Sequence, residues 1–206
     1  MITRLEVVRK NWIWIVAIVV AALILAFLIR LLNNSGQPHV PPEFLKARAA
    51  GGDASQVIVG ISNNSIKNLQ EIQADEKSGD YTAGLNLVLE EINQNNQARA
   101  SAVQLSGQLN IMASNLSTVQ PESAARIGLQ AIIIESQIVE GLISYNNYTY
   151  QLLDLLHNRL QNGAASAPAA KINSVISQMN DQAKSINNLN TQYQSLMKQF
   201  DQMTNS

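Results

Sequence analysis

Apolar residues recur along most of this chain at alternating steps of three and four, the spacing that stacks side chains on one face of an α-helix. Strand-like alternation is not found. The rhythm breaks at Gly51-Gly52-Asp53, Ser78-Gly79-Asp80, Gln120-Pro121 and from Asn162-Gly163 to Pro168. Between those breaks it predicts four helical pieces, about 43–76, 81–119, 121–161 and 168–204.

The first piece carries Ile58, Ile61, Ile66, Leu69 and Ile72 on one face, and Gly51-Gly52 should break or bend it. The second carries Leu85, Val88, Ile92, Ala102, Leu105, Leu109, Met112 and Leu116, its seam turning polar only around Asn95 and Arg99. Pro121 suits the first position of the third, with Glu122 and Glu135 placed toward the positive end of its dipole. Its stripe, from Ala124 through Ile138, Gly141, Tyr145 and Tyr148 to Leu155, is broad enough to touch two neighbours. The fourth repeats the spacing through Ile172, Val175, Met179, Gln182, Ile186, Leu189, Tyr193, Leu196 and Phe200.

Spacing sustained this long predicts coiled-coil-like packing. The second to fourth pieces would each be roughly 55–60 Å long at the rise of an α-helix. Matched lengths joined by short turns make sequential helices antiparallel neighbours. Residues 43–206 are therefore expected to form an all-α, antiparallel up-down four-helix bundle with long helices, the first bent at 51–52.

Ahead of the bundle, Trp12 to Ile29 is an 18-residue run without charge, Pro or Gly, and Arg30-Leu31-Leu32 extend it. Its length of roughly 27–32 Å matches a hydrocarbon core. A cleaved signal has a shorter apolar core followed by small residues, so residues 12–32 are expected to be a retained transmembrane signal-anchor. Arg9 and Lys10 abut its start, and a long following domain is translocated largely regardless of charge. The expectation is a short cytoplasmic tail (1–11), a span in the plasma (inner) membrane, a stalk (33–42) holding three of the five prolines, and an extracytoplasmic bundle. The turns near Gly79 and Gly163 then lie distal to the bilayer, and Pro121 and the C-terminus lie back toward it.

Composition narrows the function. Only 14% of residues are charged and the net charge is −1, so no basic surface is offered to nucleic acid. With no cysteine there is no disulfide, thiolate metal site or cysteine nucleophile. His39 and His157 lack partners at metal-site spacing, and the cluster from Asp75 to Asp80 lacks the alternating oxygen ligands of a calcium loop. A phosphate-binding glycine loop and a nucleophile elbow are also missing. No catalytic residue, cofactor site or metal site is assigned, and no enzyme activity is expected.

Two groups of residues remain as candidates. Asn95, Tyr145, Tyr148 and Gln182 fall on the seams of three helices and would form a polar layer or small cavity inside the bundle, or set its register. Asp75, Glu76 and Asp80 would make the distal tip acidic. The segment from Ser78 to Leu85 resembles the Gly-Asp-Tyr turn of tetratricopeptide repeats, but no 34-residue period recurs, and a helix-helix turn with Gly79 at the cap accounts for it. In layout, a basic tail, one span and a long bundle, the chain resembles small bacterial membrane-anchored bundle proteins and is distantly similar in plan to the LemA family, without its sequence motifs. That likeness implies an architecture and no activity.

The leading expectation is thus a membrane-tethered, non-enzymatic scaffold or protein-interaction module of the cell envelope. It would meet lipid through residues 12–32 and bind a protein partner, a second copy of the chain included. Two other classes are a small-ligand sensor working through a partner and a lipid-active bundle.

Overall fold

The structure, a computed structural model, describes residues 38–163 and 166–204. The expected span at 12–32 lies outside the described residues, as do the tail and residues 33–37 of the stalk. From His39 onward the chain is one compact, all-helical unit with four long α-helices among the described residues. They are α1 (Pro42–Ser78), α2 (Tyr81–Asn115), α3 (Glu122–Asn162) and α4 (Ala169–Thr204), with a short 3-10 turn at Leu116–Thr118 after α2.

Local chemistry sets the boundaries. Pro42 opens α1 at a position where a missing N–H costs nothing. Gly79 ends α1 in the left-handed conformation at φ +83°, and the Asp80 amide donates back to the Asp75 carbonyl at 2.9 Å, which satisfies groups the helix end leaves open. The Asp80 carboxylate then accepts from the Ala83 amide at 3.1 Å and caps α2. Two residues end one helix and start the next. Before α1, His39 and Gln120 exchange main-chain hydrogen bonds of 3.0 and 2.9 Å, tying the entering chain to the α2–α3 turn.

Of the two outcomes expected at Gly51-Gly52, the break is not found, because α1 continues through both glycines as one helix. An interior glycine costs a helix about 1 kcal/mol relative to alanine, and here packing offsets it. Gly51 is buried, and a Cβ there would sit 3.2 Å from Leu105 Cδ1, so its bareness lets α1 lie close on α2.

Sequential helices run antiparallel. Asn68 pairs with Glu91 and Gly51 meets Leu105 between α1 and α2; Asn95 meets Asn146 between α2 and α3, and Leu116 in the turn after α2 meets Gly128 of α3; Gly141 meets Ile186 and Gly128 meets Phe200 between α3 and α4. The backbones of these three pairs approach closely, whereas α1 and α4 stay apart along most of their length. The helix order is therefore α1–α2–α3–α4, with α2 and α3 inside. The largest core cluster, with Phe44, Leu109, Met112, Ala131, Val139 and Phe200, fills the end near Pro42 and Pro121. Two smaller clusters, around Ile72, Val88 and Leu153 and around Leu152, Val175 and Met179, continue it toward the Gly79 and Gly163 turns.

By length and composition α3 could cross a membrane, the one described helix to reach that threshold. Part of its apolar surface is used inside the bundle, where it packs on both α2 and α4, while Leu129 and Ile133 stand exposed.

Candidate ligand groove

Where α1 and α4 stay apart, a groove of about 800 Å³ opens between them. Its floor comes from the inner helices: Leu105, Leu109 and Met112 of α2, with Glu135 of α3. One wall is Arg48, Gly51, Gly52 and Ser55 of α1; the other is α4 from Asn190 to Gln202, including Tyr193, Met197, Lys198 and Asp201. Gly52 belongs to the groove for a simple reason. A Cβ at that position would meet no atom within 4 Å, so the missing side chain is part of the empty volume.

Side chains bridge α1 and α4 beside the groove. The Phe44 and Phe200 rings stack at 5.2 Å between centroids, both fully buried. Arg48 donates to both carboxylate oxygens of Asp201, the Nη2 to Oδ2 distance being 2.8 Å. A forked pair of this kind fixes orientation as well as charge.

Glu135 is the chemical centre of the floor. It is only 6% exposed, and no hydrogen bond or ion pair to it is found among the described residues. Burial raises its pKa from 4.5 to about 7, because the ionised form loses more hydration than the neutral one. Nearby Tyr193 is pushed up to about 12, by burial first and then by the charge of Glu135, with Arg48 opposing. The Arg48 guanidinium is already engaged by Asp201 and supplies no counterion.

The expected polar layer is brought together in part. Asn95 and Tyr145 line a small cavity of about 70 Å³ with Ile61, Ser65, Asn146, Thr149 and Met179. That volume suits a few water molecules and is well below the roughly 300 Å³ of small-molecule sites. Asn95 Nδ2 donates to the Asn146 carbonyl at 3.1 Å, and Asn146 Nδ2 donates to the Asn95 carbonyl at 2.9 Å. Tyr148 packs instead beside Leu152, Val175 and Met179, where Tyr145 also reaches, and burial raises the Tyr145 pKa. Gln182 lies over Gly141 and is not part of the cavity lining.

At the Gly79 turn the acidic residues have structural tasks. Glu76 pairs with Arg159 of α3, Asp80 caps α2, and the Asp75 main chain closes α1. Among the described residues no three His, Cys, Asp or Glu side chains cluster closely enough to hold a metal ion.

Sequence reasoning missed Glu135 as a groove residue and Asn146 as the partner of Asn95. Both lie on a second three-four row of α3, Ala124, Gly128, Ala131, Glu135, Ile138, Leu142, Asn146, Thr149 and Leu153, which runs beside the row through Tyr145 and Tyr148. Reading two rows on a helix expected to touch two neighbours would have found them. No protein-family model, curated protein or solved structure matches this chain.

Proposed function

We propose that this protein is a membrane-tethered, non-enzymatic binding module whose groove between α1 and α4 receives its ligand or partner. One observation carries the reading: a groove of about 800 Å³ whose floor holds Glu135, a nearly buried residue whose carboxyl has no partner among the described residues. A bundle that served only as a spacer would gain by closing α1 onto α4 and filling the open space at Gly52. Residues 12–32 supply the tether, with the N-terminus cytoplasmic and the bundle outside the cytoplasm, in the antiparallel coiled-coil-like arrangement that the three-four spacing implies.

The expected scaffold role and the small-ligand role make different use of this groove. Its volume falls within the roughly 300–1,000 Å³ typical of small-molecule sites, which favours a ligand over a purely protein-docking face.

The absence of cysteine allows a direct test with single-thiol variants of the full-length chain in its native cells. Val103→Cys places a thiol on an exposed position of α2, and Gly52→Cys places one in the groove. A membrane-impermeant maleimide should label the Val103→Cys variant in intact cells. The Gly52→Cys variant should label slowly in cells and quickly after purification, once the occupant is washed away. Labelling of Val103→Cys only after permeabilisation would overturn the orientation, and equal rates for Gly52→Cys in both settings would overturn the occupied groove.

A further inference from the structure

The groove contains a charge problem that points to a kind of ligand. Glu135 sits on the floor with 6% exposure and no hydrogen-bonding or ionic partner among the described residues. The cations lining the groove do not resolve it, since Arg48 is held at both terminal nitrogens by Asp201 and Lys198 stands exposed at the rim. An anionic ligand would bring a second negative charge toward Glu135 and Asp201. A neutral apolar ligand would seal the carboxyl further from water and leave it unpaired, which is costly. A cation with N–H donors removes the cost.

We propose that the groove binds a small organic ammonium ion with an apolar body, its nitrogen donating to the Glu135 carboxylate and its body lying in the groove between Gly52 of α1 and Tyr193 of α4. This rests on reading the groove as the binding surface and adds the chemical class of the occupant. The volume of about 800 Å³ admits such a molecule. Tyr193 of α4 adds an aromatic wall, the kind of surface that attracts a cation.

Binding has a proton balance. Below about pH 7 much of the Glu135 population in the empty groove is the neutral acid. An ammonium ion entering that population forms an N–H···O bond to the carboxylate and displaces the carboxyl proton to solvent; the ligand keeps its own protons. Binding of the ammonium ion should therefore release up to one proton per site at mildly acidic pH and none at alkaline pH, where Glu135 is already ionised.

The test uses the full-length chain in lipid nanodiscs, with empty nanodiscs as reference, titrated calorimetrically with 4-phenylbutylamine, 4-phenylbutanol and 4-phenylbutyrate. Titrations at about pH 6 in two buffers of different ionisation enthalpy count the protons released. The amine should bind tightest and release protons, and Glu135→Gln should weaken it by roughly thirtyfold or more and abolish the release. That substitution keeps the shape of the side chain and removes the ionisable group, so the fold is expected to persist. Gly52→Phe, which fills open space in the groove, should block all three probes.

The ammonium proposal is overturned if the alcohol binds wild type as tightly as the amine, or if Glu135→Gln leaves amine affinity unchanged. If the probes bind alike and Gly52→Phe excludes them, the groove remains a binding surface and only the ligand class is wrong. If Gly52→Phe changes no binding, both readings fail together.

Discussion

Replacing Glu135 with glutamine should change how stability depends on pH. In the folded chain its pKa is raised from 4.5 to about 7 by burial, so the folded state holds this proton more tightly than the unfolded state does. Stability then falls as pH rises, because the unfolded chain gives up the proton first. The sign is unfavourable to folding: no penalty below about 4.5, a growing one between there and about 7, and a constant one above. A shift of this size corresponds to about 3 kcal/mol, or roughly 6–12 °C in Tm for a bundle of this length. Arg48, Tyr193, Lys198 and Asp201 are the charged or titratable groups lining the same groove, and all are retained in the variant. Urea melts followed by circular dichroism at 222 nm, on wild type and Glu135→Gln at half-unit pH steps, isolate the contribution of this one side chain. The variant should gain on wild type steadily up to about pH 7 and then run parallel to it. Curves that stay parallel to within about 0.5 kcal/mol across the whole range would refute the claim that Glu135 is buried without a partner.

Other substitutions probe the packing. Gly60→Ala and Gly107→Ala add a methyl group where nothing lies within 4 Å, and each should stabilise by about 1 kcal/mol in the same melts. Gly141→Ala, whose Cβ would lie 2.9 Å from Gln182 Nε2 and Ile186 Cγ1, should lose that gain and roughly 1–3 kcal/mol more, so a stabilised Gly141→Ala would show that α3 and α4 are not so close. Asn95→Ala and Asn146→Ala should each cost about 1–3 kcal/mol. Since each amide donates to the other residue's main-chain carbonyl, each deletion leaves the second bond standing, and the double variant should be additive to within about 0.5 kcal/mol. Asp201→Asn should cost only about 0.5–1 kcal/mol, shrinking with added salt, because the pair it breaks is about one-third exposed.

The helices and their turns were legible because the signals are local. Three-four spacing names a helix, and Gly79 and Asp80 carry the chemistry of a C-terminus and an N-cap side by side. Gly51-Gly52 suggests a break that α1 does not show, because glycine has two physical meanings that look identical in a sequence. It loosens a helix, and it also allows a neighbour close or leaves space; here Gly51 does the first of those last two tasks and Gly52 the second. Tyr145 and Tyr148 group with Asn95 only if α3 has one seam, and it has two rows. The aromatic pair packs with Val175 and Met179 of α4, while Asn146 on the other row reaches α2. The groove was beyond sequence reasoning altogether. Periodicity says which face of each helix is apolar; it does not say which pair of helices stays open.

The position of the opening follows from the connectivity. Three of the four helix pairs are hairpins whose turns hold them together: Gly79-Asp80, the segment from Leu116 to Pro121, and the segment from Gly163 to Pro168. The fourth pair, α1 with α4, is closed by no turn, and its helices are tied by side chains alone at Phe44–Phe200 and Arg48–Asp201. It is thus the pair that can part without strain in a connection. Those two ties lie at the start of α1 and the end of α4, and Arg48 and Asp201 also line the groove that holds Glu135. A ligand that pairs with Glu135 would lift the ionisation penalty, which opposes folding at neutral pH. The same ligand would fill the space that the parted helices leave open. Occupancy and bundle stability should therefore rise together, since whatever binds only the folded groove stabilises the fold by mass action.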